Sequence, residues 1–109
     1  MAEAPSMILA LTSEADETKA EALALVLLER RLVACVTLTP MRSLYRWEGE
    51  VQQDKEVQLL LKTTLDCLAE LRQTVMDLHS YELPEWLVWP ATASAAYESW
   101  SAANCLSET

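Results

Sequence analysis

Glycine is almost absent from this chain, since Gly49 is the only one among 109 residues. A Gly-rich phosphate-binding loop is therefore excluded. Gly49 lies between two extended runs, one from Val33 to Trp47 and the other from Val51 to Thr63. A tight hairpin turn commonly needs φ > 0, which glycine adopts without a steric cost. The sequence therefore predicts one long β-hairpin that turns at Gly49.

Cysteine is also sparse, and its positions follow no known pattern. Cys35, Cys67 and Cys105 lie far apart and match neither the paired spacing of a zinc site nor an even-numbered disulfide framework. We expect reduced thiols in a cytoplasmic protein. We assign no catalytic nucleophile, because the sequence offers Cys35 no basic neighbour that would favour its thiolate.

Long apolar runs and basic clusters are missing as well. The longest apolar run, residues 22–28, is far shorter than the about 20 residues of a membrane-spanning helix. No basic segment followed by an apolar stretch opens the sequence, so we expect no secretion signal. The 17 acidic and 8 basic residues give a net charge of −9. This charge repels phosphate backbones, so we expect neither a nucleic acid nor a membrane partner.

The hydrophobic periodicity predicts the order strand, helix, strand, strand, helix, strand and terminal helix. The expected segments are a buried strand at Met7–Leu11, a helix over residues 16–31 with Thr12 and Ser13 as capping residues, the two hairpin arms, a helix over residues 65–79, a strand at Trp86–Pro90 ended by its proline, and a helix capped by Ser94. This order is typical of an α+β, ferredoxin-like sandwich. We expect a single domain over residues 1–109, with flexible tails at 1–6 and 104–109.

The hairpin is predicted to reach beyond the body of the domain. Pro40 places its first arm at a sheet edge or a bulge, whereas the apolar stretch Val57–Leu61 places the second arm centrally, beside the opening strand. The first arm could reach about 50 Å, while a compact domain of this length is about 35 Å across. Tyr45 and Trp47 lie at the overhanging end. We therefore expect another copy of the chain to cover them.

Several fragments follow one another in a specific order between Ile8 and about Trp100. They are Ala34-Cys35-Val36, Ser43 to Gly49, Glu56-Val57, Lys62-Thr63, His79 to Glu85, and Tyr97 to Trp100. In this order the chain resembles the CutA family, known as divalent-cation tolerance proteins. The resemblance implies a homotrimer joined through the long hairpins and a link to tolerance of copper and other divalent metals. It implies no settled catalytic reaction.

One metal-ligand set can be read from the sequence: His79, Glu82 and Glu85 recur at every third position. Imidazole and carboxylate ligands suit Cu²⁺ or Zn²⁺, although we expect no required cofactor. The alternative is a histidine hydrogen-bonded at a helix end, with both glutamates in solvent or in ion pairs. Some family members carry a cysteine near the end of the first strand and two adjacent histidines. This chain has Leu11-Thr12 and Leu78-His79 there, so we do not transfer that copper site.

A second set combines aromatic and charged side chains. By the resemblance and by their polar-aromatic character, we expect them to line a cleft between subunits: Tyr45, Trp47, Glu56, Lys62, Tyr81, Glu85 and Trp100. Such a cleft could bind a small anion, a cation or nothing. Alternatively, the aromatic residues only stabilise the interface.

Three classes of function follow. The leading prediction is a cytoplasmic homotrimeric binding or signalling-type protein connected with divalent-metal tolerance, without catalysis. The first alternative is an enzyme that acts on a small anionic ligand, with Glu56 or Glu85 as base and Lys62 as the anion-binding group. The second is a trimeric scaffold that docks a protein partner through Trp86 or Trp89, one of which could be exposed.

Overall fold

Within residues 7–106, which the computed structural model describes, the strands and helices follow one another in the predicted order. The strands are β1 (Met7–Glu14), β2 (Cys35–Trp47), β3 (Glu50–Thr63) and β4 (Leu87–Ala91), and the helices are α1 (Glu17–Glu29), α2 (Leu65–Leu78) and α3 (Ala95–Asn104). The strands form one antiparallel sheet in the order β2-β3-β1-β4. The predicted α+β, ferredoxin-like fold is confirmed.

One face of the sheet packs against α1 and α2 to form the core. Strand β3 alternates along its length, so Val57, Leu59 and Leu61 are buried toward the helices while the residues between them face the other way. The buried helical residues that meet this face are Ala20, Leu23, Ala24 and Leu27 from α1 and Leu71 and Val75 from α2. The third helix, α3, contacts β3.

The hairpin turn has the predicted geometry. Glu48 and Gly49 connect β2 to β3, with φ angles of 51° and 82°. Positive φ at both central residues is the mark of a type I′ turn, whose twist matches that of the flanking strands. The prediction of a hairpin that turns at Gly49 is confirmed.

The hairpin extends beyond the third strand of the sheet. Strands β2 and β3 pair along their whole length, but β1 pairs with β3 only over residues 57–63. Residues 41–47 and 50–56 therefore form a two-stranded overhang. Pro40 pairs opposite Val57 in an uninterrupted register, because β2 is an edge strand that needs no bulge to accept a proline. The Cα atoms extend over 47 × 32 × 21 Å.

The junction between β1 and α1 differs from the prediction. Thr12 and Ser13 are not capping residues: they continue β1 and pair with β3. The N-cap is Asp16, whose side chain accepts the Lys19 N–H at 2.8 Å. Pairing with β3 satisfies the backbone N–H and C=O groups of Thr12 and Ser13, so β1 continues to Glu14.

The last strand also differs. We expected Pro90 to end it, but β4 runs through Pro90 to Ala91, with Pro90 opposite Ile8. Strand β4 is the other edge strand of the sheet and has no neighbour on its outer side. The N–H that proline lacks is therefore not needed for pairing there. Helix α3 begins after Ser94, whose side chain accepts the Tyr97 N–H, and this cap is confirmed.

The predicted tails fall partly outside the described residues. Residues 1–6 and 107–109 lie outside them. Inside, Asn104 closes α3, Cys105 is buried and the Leu106 N–H donates to the Arg31 carbonyl at 2.9 Å. Over this same part of the chain, none of the helices is both long and apolar enough to span a bilayer.

Candidate functional site

A groove of about 1030 Å³ lies between the hairpin and the loop that leads into β4. Its walls come from the hairpin arms and from residues 80–87. The charged side chains that line it are four carboxylates and one guanidinium: Asp54, Glu56, Glu82, Glu85 and Arg46. Such a lining creates a negative potential that concentrates cations and repels anions.

Five of the seven residues predicted to line a cleft meet in this groove. They are Tyr45, Trp47, Glu56, Tyr81 and Glu85. The Tyr45 hydroxyl donates to the Asp54 carboxylate of the neighbouring strand. This hydrogen bond is the main reason why the pKa of Tyr45 is raised above its usual value. The tip of the hairpin is therefore polar as well as aromatic.

Glu56 joins three segments of the groove. One of its carboxylate oxygens accepts the Tyr81 hydroxyl at 2.7 Å and the Ser13 hydroxyl at 3.2 Å. Burial, followed by the hydrogen bond to Glu56, raises the pKa of Tyr81. Tyr81 therefore stays a neutral donor to a carboxylate at neutral pH. This contact holds the loop after α2 against β1 and β3.

Lys62 and Trp100 lie away from the groove. Lys62 is six positions from Glu56 along β3, which at about 3.3 Å per residue separates them by about 20 Å. Lys62 donates to the Thr37 hydroxyl. Trp100 lies on α3, where its ring centroid is 5.5 Å from that of Tyr97. The structure thus does not place Lys62 where it could hold an anion for a Glu56 base.

The predicted metal set does not converge. The side chain of His79 is fully buried. Its Nε2 contacts the Ser13 carbonyl, which can only accept, and its Nδ1 accepts the Tyr81 N–H at 3.0 Å. Both ring nitrogens are therefore engaged by groups of the chain itself. Glu82 and Glu85 are exposed. Over residues 7–106 no three His, Cys, Asp or Glu side chains are grouped to hold a metal.

Glu14 is a buried carboxylate that sequence reasoning missed. It accepts the Ser80 N–H at 3.0 Å, the Ser80 hydroxyl, and the Ala15 N–H at 3.0 Å. Burial by itself would raise the pKa of Glu14, but the hydrogen bonds from Ser80 and Ala15 outweigh it and lower the pKa below 4.5. The Nδ1 atom of His79 lies 3.6 Å away. No sequence signal marks this contact, because Glu14 and Ser80 are far apart in the chain.

One further expectation needs correction. Cys35 does have a basic neighbour, since the register places Lys62 directly opposite and its Nζ lies 3.8 Å from the thiol. Trp86 precedes β4 and packs against the core, whereas Trp89 is partly exposed on the open sheet face. Of the two tryptophans considered for docking a partner, Trp89 is the accessible one.

The family model for the CutA1 divalent ion tolerance protein matches residues 8–104. The chain belongs to the CutA family. The divalent-cation tolerance protein CutA of Citrobacter koseri is 41% identical to it over 98 residues, which cover 88% of this chain and 85% of that protein. A match of this extent includes the hairpin, the groove and α3.

Solved CutA structures have the same architecture. CutA from Synechococcus elongatus PCC7942 superposes with a TM-score of 0.90 at 38% identity, covering 94% of this chain and 93% of that one. The PII-like protein CutA from Nostoc sp. PCC 7120, in apo form, superposes with a TM-score of 0.87 at 34% identity, covering 92% and 98%. Family names in this group describe tolerance of divalent ions and no reaction.

Proposed function

We propose that this CutA-family chain assembles as a homotrimer and serves divalent-metal tolerance as a binding or signalling-type module without catalysis of its own. One observation carries the assembly. Tyr45 and Trp47, each 41% exposed, lie on the overhang of the hairpin. By strand alternation they share the open sheet face with Leu87 and Trp89 of β4, which are also exposed. Large apolar side chains left exposed on one sheet face favour an interface.

The names of the relatives support the binding or signalling part of the proposal. The protein of Citrobacter koseri is named for divalent-cation tolerance, and the Nostoc protein is described as PII-like. We extend both properties to this chain because the match covers most of its length. We also propose a cytoplasmic location, which the three free thiols support.

The acidic groove supports a cation rather than an anion as its ligand. Four carboxylates and one guanidinium line it, and we propose Cu²⁺ or Zn²⁺ as the ions that it attracts. Within residues 7–106 a single chain offers no cluster of three metal ligands, so another copy must complete any tight site. Metal affinity should therefore depend on assembly.

Light scattering after size-exclusion chromatography tests the assembly. Wild type should elute with the mass of three chains, and Trp47→Ala should shift the population toward monomer at micromolar concentration. Leu25→Ala is the matched control, because Leu25 is an exposed apolar residue on α1. A wild-type mass that stays monomeric at every concentration would overturn the proposal.

Isothermal titration with Cu²⁺ and with Zn²⁺ tests the role of the groove. Glu85→Gln should weaken binding by the trimer, whereas Glu21→Gln, on an exposed position of α1, should not. Equal affinities for wild type and Glu85→Gln would remove the groove as the metal site. That result would leave the proposed trimer unaffected, because the mass measurement tests it separately.

A further inference from the structure

Two buried cysteines lie where the start of α2, the end of α3 and the segment after α1 come together. Cys67 lies in the first turn of α2, and Cys105 caps the end of α3. The Cys67 thiol lies 3.9 Å from the Arg31 carbonyl, the same carbonyl that accepts the Leu106 N–H at 2.9 Å. The residue next to Cys105 is thus hydrogen-bonded to an atom that Cys67 contacts.

The second thiol lies against the adjoining strand. The Cys105 sulfur is 3.9 Å from the carbonyl of Lys62, and this carbonyl also accepts the Ala34 N–H at 2.8 Å. The segment after α1 and the end of β3 therefore run side by side, and each thiol contacts a carbonyl of one of them. Cys67 is 0% exposed and Cys105 is 6% exposed, so both thiols are shielded from bulk water.

Helix α3 has few other anchors. Ser101 is its one buried residue, and the Ser101 hydroxyl has no hydrogen-bond partner among the described residues. Ser101 precedes Cys105 by one helical turn, so both point to the same junction. A bond at Cys105 would therefore restrain α3 at the point where it already contacts the body.

We propose that Cys67 and Cys105 form a reversible oxidation site, in which a disulfide fastens α3 to the start of α2. The oxidant is a hydroperoxide, small enough to reach a buried thiol. One thiol attacks the peroxide, breaks its O–O bond and becomes a sulfenic acid, with release of water or an alcohol. The second thiol then attacks the sulfenic sulfur, forms the S–S bond and releases water. Two electrons pass from the sulfurs to the peroxide oxygens.

Charge explains why a disulfide suits this place better than a metal held by two thiolates. Burial, and after it the neighbouring Cys67, raise the pKa of the Cys105 thiol to about 11. Both a lone thiolate and a pair of thiolates are thus disfavoured here, whereas a disulfide is neutral and apolar. Oxidation should also become faster as the pH rises from neutral toward 11, because the attacking species is the thiolate.

The consequence concerns the exposed aromatic residues of α3. Tyr97 and Trp100 contact each other and are partly exposed. When the disulfide forms, the helix that carries them loses its freedom to separate from the body. The proposal does not depend on the trimer, because both cysteines belong to one chain.

The experiment uses the full chain, first reduced and then treated with hydrogen peroxide. Intact mass should fall by two hydrogen atoms, a peptide map should join Cys67 to Cys105, and dithiothreitol should reverse both changes. Cys67→Ser and Cys105→Ser should lose the effect. Cys35→Ser is the matched control and should keep it, because Cys35 lies on β2.

Three outcomes would overturn the proposal. They are a mass gain of oxygen atoms without loss of hydrogen, a link that includes Cys35, or no reaction of the folded chain. Hydrogen exchange tests the fastening itself: amides of residues 95–104 should exchange more slowly in the oxidised wild type than in the reduced one. Unchanged exchange with the disulfide in place would also contradict the proposal.

Discussion

Glu14 accepts hydrogen bonds from both the backbone N–H and the hydroxyl of Ser80, across 66 positions of the chain. Glu14 ends β1, and Ser80 belongs to the loop that follows α2. The carboxylate is 2% exposed, so its charge is stabilised almost entirely by the N–H and O–H groups around it. The loop that forms one wall of the groove is thus attached to the centre of the sheet.

We predict that Glu14 makes stability depend on acid pH. Its pKa is lowered in the folded chain from 4.5, so its contribution is present above pH 4.5 and is lost as pH falls through the lower folded value. Glu14→Gln should cost about 1–3 kcal/mol at pH 7, because an amide N–H₂ would face the Ser80 N–H. Urea unfolding between pH 7 and pH 3.5 measures both effects.

Glu21→Gln is the control for this change, since Glu21 is exposed on α1. It should leave the unfolding free energy and its pH dependence close to those of wild type. If Glu14→Gln loses as much stability on acidification as wild type does, another group is responsible for the acid sensitivity.

Ser80→Pro should destabilise the chain. Proline lacks the N–H and the hydroxyl that Ser80 gives to Glu14. Loss of two donors to a buried carboxylate should cost about 3–6 kcal/mol, because hydrogen bonds to charged groups contribute about 1.5–3 kcal/mol each. Ser80→Ala removes only the hydroxyl and should cost less. An unfolding midpoint for Ser80→Pro at or above that of wild type would contradict the prediction.

Gly49→Val should weaken the hairpin through its backbone alone. Gly49 has φ of 82°, and a Cβ there would meet no atom within 4 Å. The left-handed conformation costs an L-residue about 1–2 kcal/mol, which chemical denaturation at fixed protein concentration would measure. Gln53→Val, an exposed position of the same hairpin, should change stability far less. Equal effects of the two substitutions would show that turn geometry is not the cause.

All three tyrosines should ionise above pH 10.0 in the folded chain. Hydrogen bonding to Asp54 raises the pKa of Tyr45, burial and then Glu56 raise that of Tyr81, and burial raises that of Tyr97. The midpoint of the rise in phenolate absorbance should therefore lie above pH 10 in the folded chain and should fall to about pH 10 in denaturant. Tyr81→Phe should reduce the total phenolate absorbance by one tyrosine. A midpoint below pH 10 in folded wild type would refute the assignment.

Much of the fold could be predicted because its signals are local. A lone glycine marks the turn, and the apolar stretch at Val57–Leu61 marks a central strand. The β1–α1 boundary could not be placed, since Thr12, Ser13 and Asp16 offer similar capping oxygens and only the pairing with β3 decides among them. The prediction that Pro90 ends β4 was wrong for a related reason. Whether a strand can contain a proline depends on whether it lies at an edge of the sheet, which only the strand order shows.

The site was predictable only in part. Exposed aromatic residues at the hairpin tip and the acidic loop before β4 pointed to a shared cleft, and five of those side chains do line the groove. Contacts such as Lys62 with Cys35 or Cys67 near Cys105 arise from register and helix docking. Residues so far apart in sequence carry no local signal of such a contact.

The pairing of β4 with β1 has a consequence for biosynthesis. Met7 lies opposite Ala91, so the outer edge of β1 stays unpaired until β4 has been synthesised. The hairpin can close early from neighbouring residues, but the sheet is finished only when the residues up to Ala91 have emerged from the ribosome. Until then, β1 exposes an unpaired edge that can pair with another chain.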